Sequence, residues 1–122
     1  MGSIGGFIST AYAGSASFEF TLSNVAGVES GNQYTAIAKK TNTNQYFQVT
    51  LSMMTNATAS YYIAYNSEGE SVSPALMFRS TQLTYTQNQD YNVTALEGAS
   101  YYAYAYVSRG YSNVYVKGTF CP

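Results

Sequence analysis

The sequence has no histidine, no tryptophan, one cysteine and two prolines, and charged side chains occupy only 9% of its 122 positions. Without histidine there is no Ser-His-Asp or Cys-His catalytic system and no histidine-ligated metal. The single cysteine, Cys121, rules out an intrachain disulfide. It has no basic neighbour in sequence to favour its thiolate, which argues against a nucleophile. In an exported chain it points to an intermolecular disulfide or a free thiol. Five basic and six acidic residues leave a net charge of −1. No basic field exists to attract phosphates, so no nucleic-acid partner is expected. No run approaches the roughly 18 apolar residues of a membrane span, so the chain is not expected to cross a membrane. A typical soluble domain is about 25% charged. The shortfall removes repulsion between copies and favours self-association.

What the chain has instead is tyrosine, 14 of them, with Ser, Thr, Asn and Gln supplying the polarity. At 122 residues with 46% hydrophobic content it is long enough for one domain with one core. The acids Glu19, Glu29, Glu68, Glu70, Asp90 and Glu97 fall mostly in turns, where carboxylates cap local backbone. They do not suggest a catalytic pair, so no enzyme and no cofactor are expected. Glu68-Gly69-Glu70 with Asn66 lacks the spacing of a calcium loop and reads as a plain turn. Asn56-Ala57-Thr58 and Asn92-Val93-Thr94 match the acceptor pattern for N-glycosylation, making Asn56 and Asn92 candidate sites.

Alternation with a period of two dominates the chain. Residues 17–25 put Phe18, Phe20 and Leu22 on one face. Residues 33–39 alternate Tyr34, Ala36 and Ala38 with Thr35 and Ile37. Residues 46–54 are the clearest strand, with Phe47, Val49, Leu51 and Met53 opposite Gln48, Thr50 and Ser52. Residues 59–65 set Tyr61, Ile63 and Tyr65 against Tyr62 and Ala64. Pro74 marks residues 72–78 as an edge strand or bulge. Short strands are expected at 81–86 and 91–96, with a turn at 87–90 between them. No segment has a helical period. Eight or nine short strands separated by turns predict an all-β antiparallel sandwich.

Residues 99–120, ASYYAYAYVSRGYSNVYVKGTF, read as a hairpin turning at Arg109 and Gly110. Pairing Val107 with Ser112 gives one face of Tyr102, Tyr104, Tyr106 and Tyr115, and another of Ala103, Ala105, Val114 and Val116. A one-residue slip would mix the two sets. The small apolar face suits a core. The tyrosine face is a candidate interface, because tyrosine brings apolar area with a polar tip.

Residues 1–16 are rich in Gly, Ser and Ala, with apolar points at Ile4, Phe7, Ile8 and Tyr12. They read as an extended N-terminal arm preceding a sandwich domain at 17–122. Ile4 to Ile8 followed by Ala11-Tyr12-Ala13 also fits the end of a secretory signal. The segments FEFTLSNVAG and AKKTNTNQYFQVTL, strand, polar TNTN loop and strand, resemble small secreted all-β proteins of Gram-positive bacteria near the sandwich bacteriocins. That resemblance implies secretion and a β-sandwich. The expectation is a non-enzymatic extracellular or cell-surface structural subunit. Copies would self-assemble, into a filament, by donating the arm Ile4, Phe7, Ile8 and Tyr12 to a neighbour's sheet edge. The alternative is a secreted monomeric binding or bacteriocin-like protein whose tyrosine face meets a carbohydrate or cell-wall target.

Overall fold

The structure, a computed structural model, describes residues 12–26 and 31–122. Ten strands form among them: β1 (Tyr12–Ala13), β2 (Ala16–Leu22), β3 (Gln33–Tyr34), β4 (Ala38–Lys39), β5 (Tyr46–Met54), β6 (Ala59–Asn66), β7 (Leu76–Arg79), β8 (Gln87–Asp90), β9 (Ser100–Tyr106) and β10 (Val114–Cys121). One sheet, A, runs β1-β4-β9-β6-β7, with β3 also paired to β9. The other, B, runs β2-β10-β5-β8. Pairing is antiparallel except for the short parallel contact of β1 with β4. The fold is therefore the all-β antiparallel sandwich that the alternation predicts. The chain passes from one sheet to the other at almost every step, and the two strand orders are those of a jelly roll. Among the described residues no helix is long and apolar enough to cross a membrane.

Burial follows the alternation except at the end of β5, where the shift in register against β10 turns Met53 outward and buries Met54 instead. Leu22, Phe47, Val49, Leu51, Phe78, Ala103, Ala105, Val114, Val116 and Phe120 are fully enclosed between the sheets. β5 has the bounds the pattern gives, and β6 buries Tyr62 and Ala64 while turning Tyr61, Ile63 and Tyr65 outward. A bulge between Lys117 and Gly118 shifts the β10–β5 register. A side chain at Gly118 would meet the Thr50 carbonyl oxygen at 2.3 Å.

The structure corrects several sequence expectations. Residues 99–120 are not a hairpin. β9 pairs with β6 in sheet A, whereas β10 lies between β2 and β5 in sheet B. The intervening loop is tied to the end of β2 instead of folding back on itself. The Asn24 side-chain amide donates to the Val107 carbonyl, the Gly110 N–H to the Asn24 carbonyl, and the Asn24 N–H to the Tyr111 carbonyl. Alternation fixes which face a side chain takes but says nothing about which strand lies alongside.

Residues 33–39 are two short strands, because Thr35 turns inward and its hydroxyl accepts the Ala103 N–H at 2.9 Å. Residues 81–86 form no strand: a 3-10 turn covers Ser80–Gln82, and Thr84 has a φ of 71°. The strand lies instead at Gln87–Asp90, where a turn was expected. Residues 91–96 form no strand either, and Val93 is exposed while Tyr91 and Ala95 are buried. The sandwich also takes in residues 12–16, since Tyr12 and Ala13 pair with Ala38 and Lys39, and Ala16 is in the core.

Candidate functional site

The outer face of sheet A carries a continuous layer of tyrosine. In the β6–β9 ladder, Tyr61 lies opposite Tyr106, Ile63 opposite Tyr104 and Tyr65 opposite Tyr102. Tyr34 of β3 closes the far side, opposite Tyr104. Tyr61 stacks on Tyr106 with ring centroids 5.2 Å apart, and Tyr65 on Tyr102 at 5.5 Å. Tyr34 contacts both Tyr102 and Tyr104, and Tyr104 contacts Tyr106. Tyr102 is only 7% exposed although it points away from the core, because neighbouring rings cover it. Burial, and then the charge neighbouring tyrosines would carry if ionised, raises the pKa of Tyr102, Tyr104 and Tyr106. At neutral pH these three phenols therefore present uncharged hydroxyls.

A depression of about 330 Å³ opens in this layer, lined by Asn24, Asn32, Ile63, Tyr104 and Tyr106. The Asn32 amide donates to the Tyr104 hydroxyl, and Asn24 is anchored through the Val107 carbonyl. None of the five side chains is charged at neutral pH.

Tyr102, Tyr104 and Tyr106 are brought together as the alternation predicts, but Tyr115 is not with them. It lies on the outer face of sheet B, where its hydroxyl donates to Glu19 and that bond raises its pKa. The face around it is hydroxyl-rich, with a shallow recess of about 420 Å³ floored by Gly118 and bordered by Ser17, Glu19, Thr50, Lys117 and Thr119.

Of the arm residues, Ile4, Phe7 and Ile8 lie outside the described residues. Tyr12 sits in β1 against its own chain. Asn56 is exposed in the turn after β5, in a left-handed conformation, its side chain bonded to the Asn113 carbonyl. Asn92 is exposed in the loop after β8. Cys121 is half-buried and unpaired within the chain. The fold gives it a basic neighbour that the local sequence does not. Lys40 is buried, donates to Asn42 Oδ1 at 2.9 Å, and lies 5.3 Å from the centre of the Tyr91 ring. Burial lowers the Lys40 pKa, and the nearby Cys121 opposes that shift. The Tyr91 hydroxyl is buried with no partner among the described residues.

Tyr34, Tyr61, Ile63, Tyr65, Asn24 and Asn32 are the site members that sequence reasoning missed. Tyr34 had a signal in its alternation with Thr35. Asn24, at the end of the strand read at 17–25, and Asn32, just before the strand read at 33–39, had none. No protein-family model matches the chain, and neither a curated protein nor a solved structure matches it.

Proposed function

We propose that this chain is a non-enzymatic structural subunit, exported from the cell, whose copies join by strand addition at the open edge of sheet B. The observation that carries this reading is β2. It is a seven-residue strand with β10 on one side and, among the described residues, no ladder partner on the other. Natural edge strands are usually blunted by charge, proline, a bulge, brevity or a covering loop. β2 has no proline or bulge, carries one charge, Glu19, and is tied to a loop only beyond its end, where the Ser23 N–H donates to the Gly31 carbonyl. The other edges differ. β8 is the polar run QNQD, β7 has four residues, and β1 has two. Phe18 and Phe20 stack at 5.0 Å along the inward side of β2, and Phe20 is only partly buried. A donated strand would cover Phe20 with an apolar side chain of its own. Residues 1–11, with Ile4, Phe7 and Ile8, are the candidate donor. Tyr12 and Ala13 are taken up by β4 of their own chain.

Deleting residues 2–11 tests this reading. The full chain should run as an oligomer or filament by light scattering and negative-stain imaging, and the deletion as a monomer. A full chain that stays monomeric at high concentration, or a deletion that polymerises unchanged, removes it.

The depression beside Tyr104 favours a second reading, a secreted monomeric binding protein that uses the tyrosine layer against a carbohydrate or cell-wall target. Jelly rolls serve both as assembling coat subunits and as lectin domains, so the architecture accommodates either role at the level of fold analogy. Loss of binding to insoluble polysaccharide or peptidoglycan on Tyr104→Ala, with the chain monomeric, decides for the second.

A further inference from the structure

We propose that the depression between Asn24, Asn32, Ile63, Tyr104 and Tyr106 holds one ring of an uncharged sugar, an inference that rests on the second reading above. Three features of the depression select that chemistry.

First, the polar groups are mixed and neutral. The side-chain Oδ1 atoms of Asn24 and Asn32 and the Tyr106 hydroxyl have no hydrogen-bond partner among the described residues, and the Tyr104 hydroxyl accepts from Asn32 with its own proton left to donate. A ligand with both donors and acceptors, such as a vicinal diol, satisfies this set. A carboxylate or phosphate finds no cation among the lining residues, and an ammonium finds no carboxylate. Because the Tyr104 and Tyr106 pKa values are raised, the phenols stay neutral donors well above neutral pH.

Second, the polar rim surrounds an apolar side chain. Ile63 lies opposite Tyr104 in the ladder, outward-facing between Tyr61 and Tyr65. An apolar contact surface edged by a few fixed polar groups is the general design of small-ligand sites, and the volume lies at the small end of their range of about 300–1,000 Å³.

Third, the rest of the layer is poorly suited to sugar stacking. The Tyr61–Tyr106 and Tyr65–Tyr102 planes are within 16° and 18° of parallel. Their ring faces are turned to each other, which leaves mainly edges for solvent. These four rings therefore offer no exposed flat platform, and the depression is where a sugar ring finds both apolar and polar contacts.

The test is an NMR titration of the full chain with cellotetraose, maltotetraose and tetra-N-acetylchitotetraose, with anionic tetragalacturonate as the charged comparison. At least one neutral tetrasaccharide should give saturable shifts at the Ile63 methyls and the Asn24 and Asn32 side-chain amides, and tetragalacturonate should not. Asn32→Ala should weaken binding roughly tenfold, the loss of about one hydrogen bond. Tyr106→Phe, which removes only a hydroxyl, should also weaken it while leaving the spectrum of the folded chain intact. Shifts at Tyr61, Tyr65 and Tyr102 without any at Ile63 overturn this site and leave the tyrosine-layer reading standing. Absence of saturable shifts anywhere overturns both, and preference for tetragalacturonate overturns the neutral-ligand inference.

Discussion

Tyr65 lies flat against Tyr102, ring centroids 5.5 Å apart and planes 18° apart, and the two are direct partners in the β6–β9 ladder. The stack shields a ring that would otherwise face water. Aromatic pairs of this kind contribute about 0.5–1.5 kcal/mol beyond area burial. Tyr65→Ala and Tyr102→Ala, made singly and together, should therefore show a coupling of that size in urea unfolding. Strictly additive effects would mean that the two rings merely share a face.

Thr35 gives a second measurable quantity. It is 2% exposed, and its hydroxyl stands in for a strand carbonyl by accepting the Ala103 N–H. Thr35→Val keeps the shape and removes the acceptor, leaving a buried donor unpaired at a cost of about 1–3 kcal/mol. Thr35→Ser keeps the acceptor and should cost less. Thermal unfolding of both variants, with hydrogen exchange at the Ala103 amide, checks the prediction. Equal losses for the two variants would contradict it.

Gly118 is required by space. An added methyl would lie 2.3 Å from the Thr50 carbonyl oxygen and 2.7 Å from a Leu51 methyl carbon. The carbonyl belongs to backbone in the neighbouring strand and cannot swing aside. Gly118→Ala should destabilise by about 1–3 kcal/mol, as overpacking does, read as a lower urea midpoint. A midpoint at or above that of the parent would show that the bulge relaxes freely.

Alkaline pH should unfold the protein through its tyrosines. Tyr62, Tyr91, Tyr102, Tyr104 and Tyr106 all have raised pKa values, chiefly from burial. Above roughly pH 10 the unfolded chain begins to shed phenolic protons that the folded chain retains. The unfolded state then binds fewer protons, so stability is full below that pH and falls as pH rises. Lys40 works in the other direction, its lowered pKa adding stability as pH climbs towards the unfolded lysine value, but it is one group against five. The urea midpoint should decline from about pH 10 upward, less steeply in Tyr62→Phe. A flat profile across that range would contradict the assignment.

The faces of the strands were legible in the sequence, and their neighbours were not. Phe47, Val49 and Leu51 announced β5 because a period of two is a local property. Tyr102, Tyr104 and Tyr106 were placed on one outer face for the same reason. Tyr115 was misplaced because its surroundings depend on whether β10 lies beside β9 or beside β2, and the alternation is identical in both cases. The run QNQD looked like a turn because its composition is polar, yet it forms a ladder with β5 at the sheet edge, where little needs to be buried. Lys40 opens the polar run KTNTNQ, whose composition reads as a loop. Its spacing of two from Ala38 was the available sign that it points inward, and a charge at that position outweighed the sign.

β10 stands between β2 and β5, so the edge strand and the longest strand of sheet B are joined only through residues 114–121. Glu19 meets Lys117 across nearly the whole length of the chain. Such a sheet cannot grow by zipping up neighbouring segments. Its closure must wait for a distant segment to arrive, which puts folding among the slower, millisecond-to-second topologies. During that interval Phe18 and Phe20 have no cover from β10, and the same stretch that would later receive a partner strand is open to premature pairing. A chain that assembles through β2 would therefore gain from protection during synthesis, when the right contact and the wrong one use the same backbone groups.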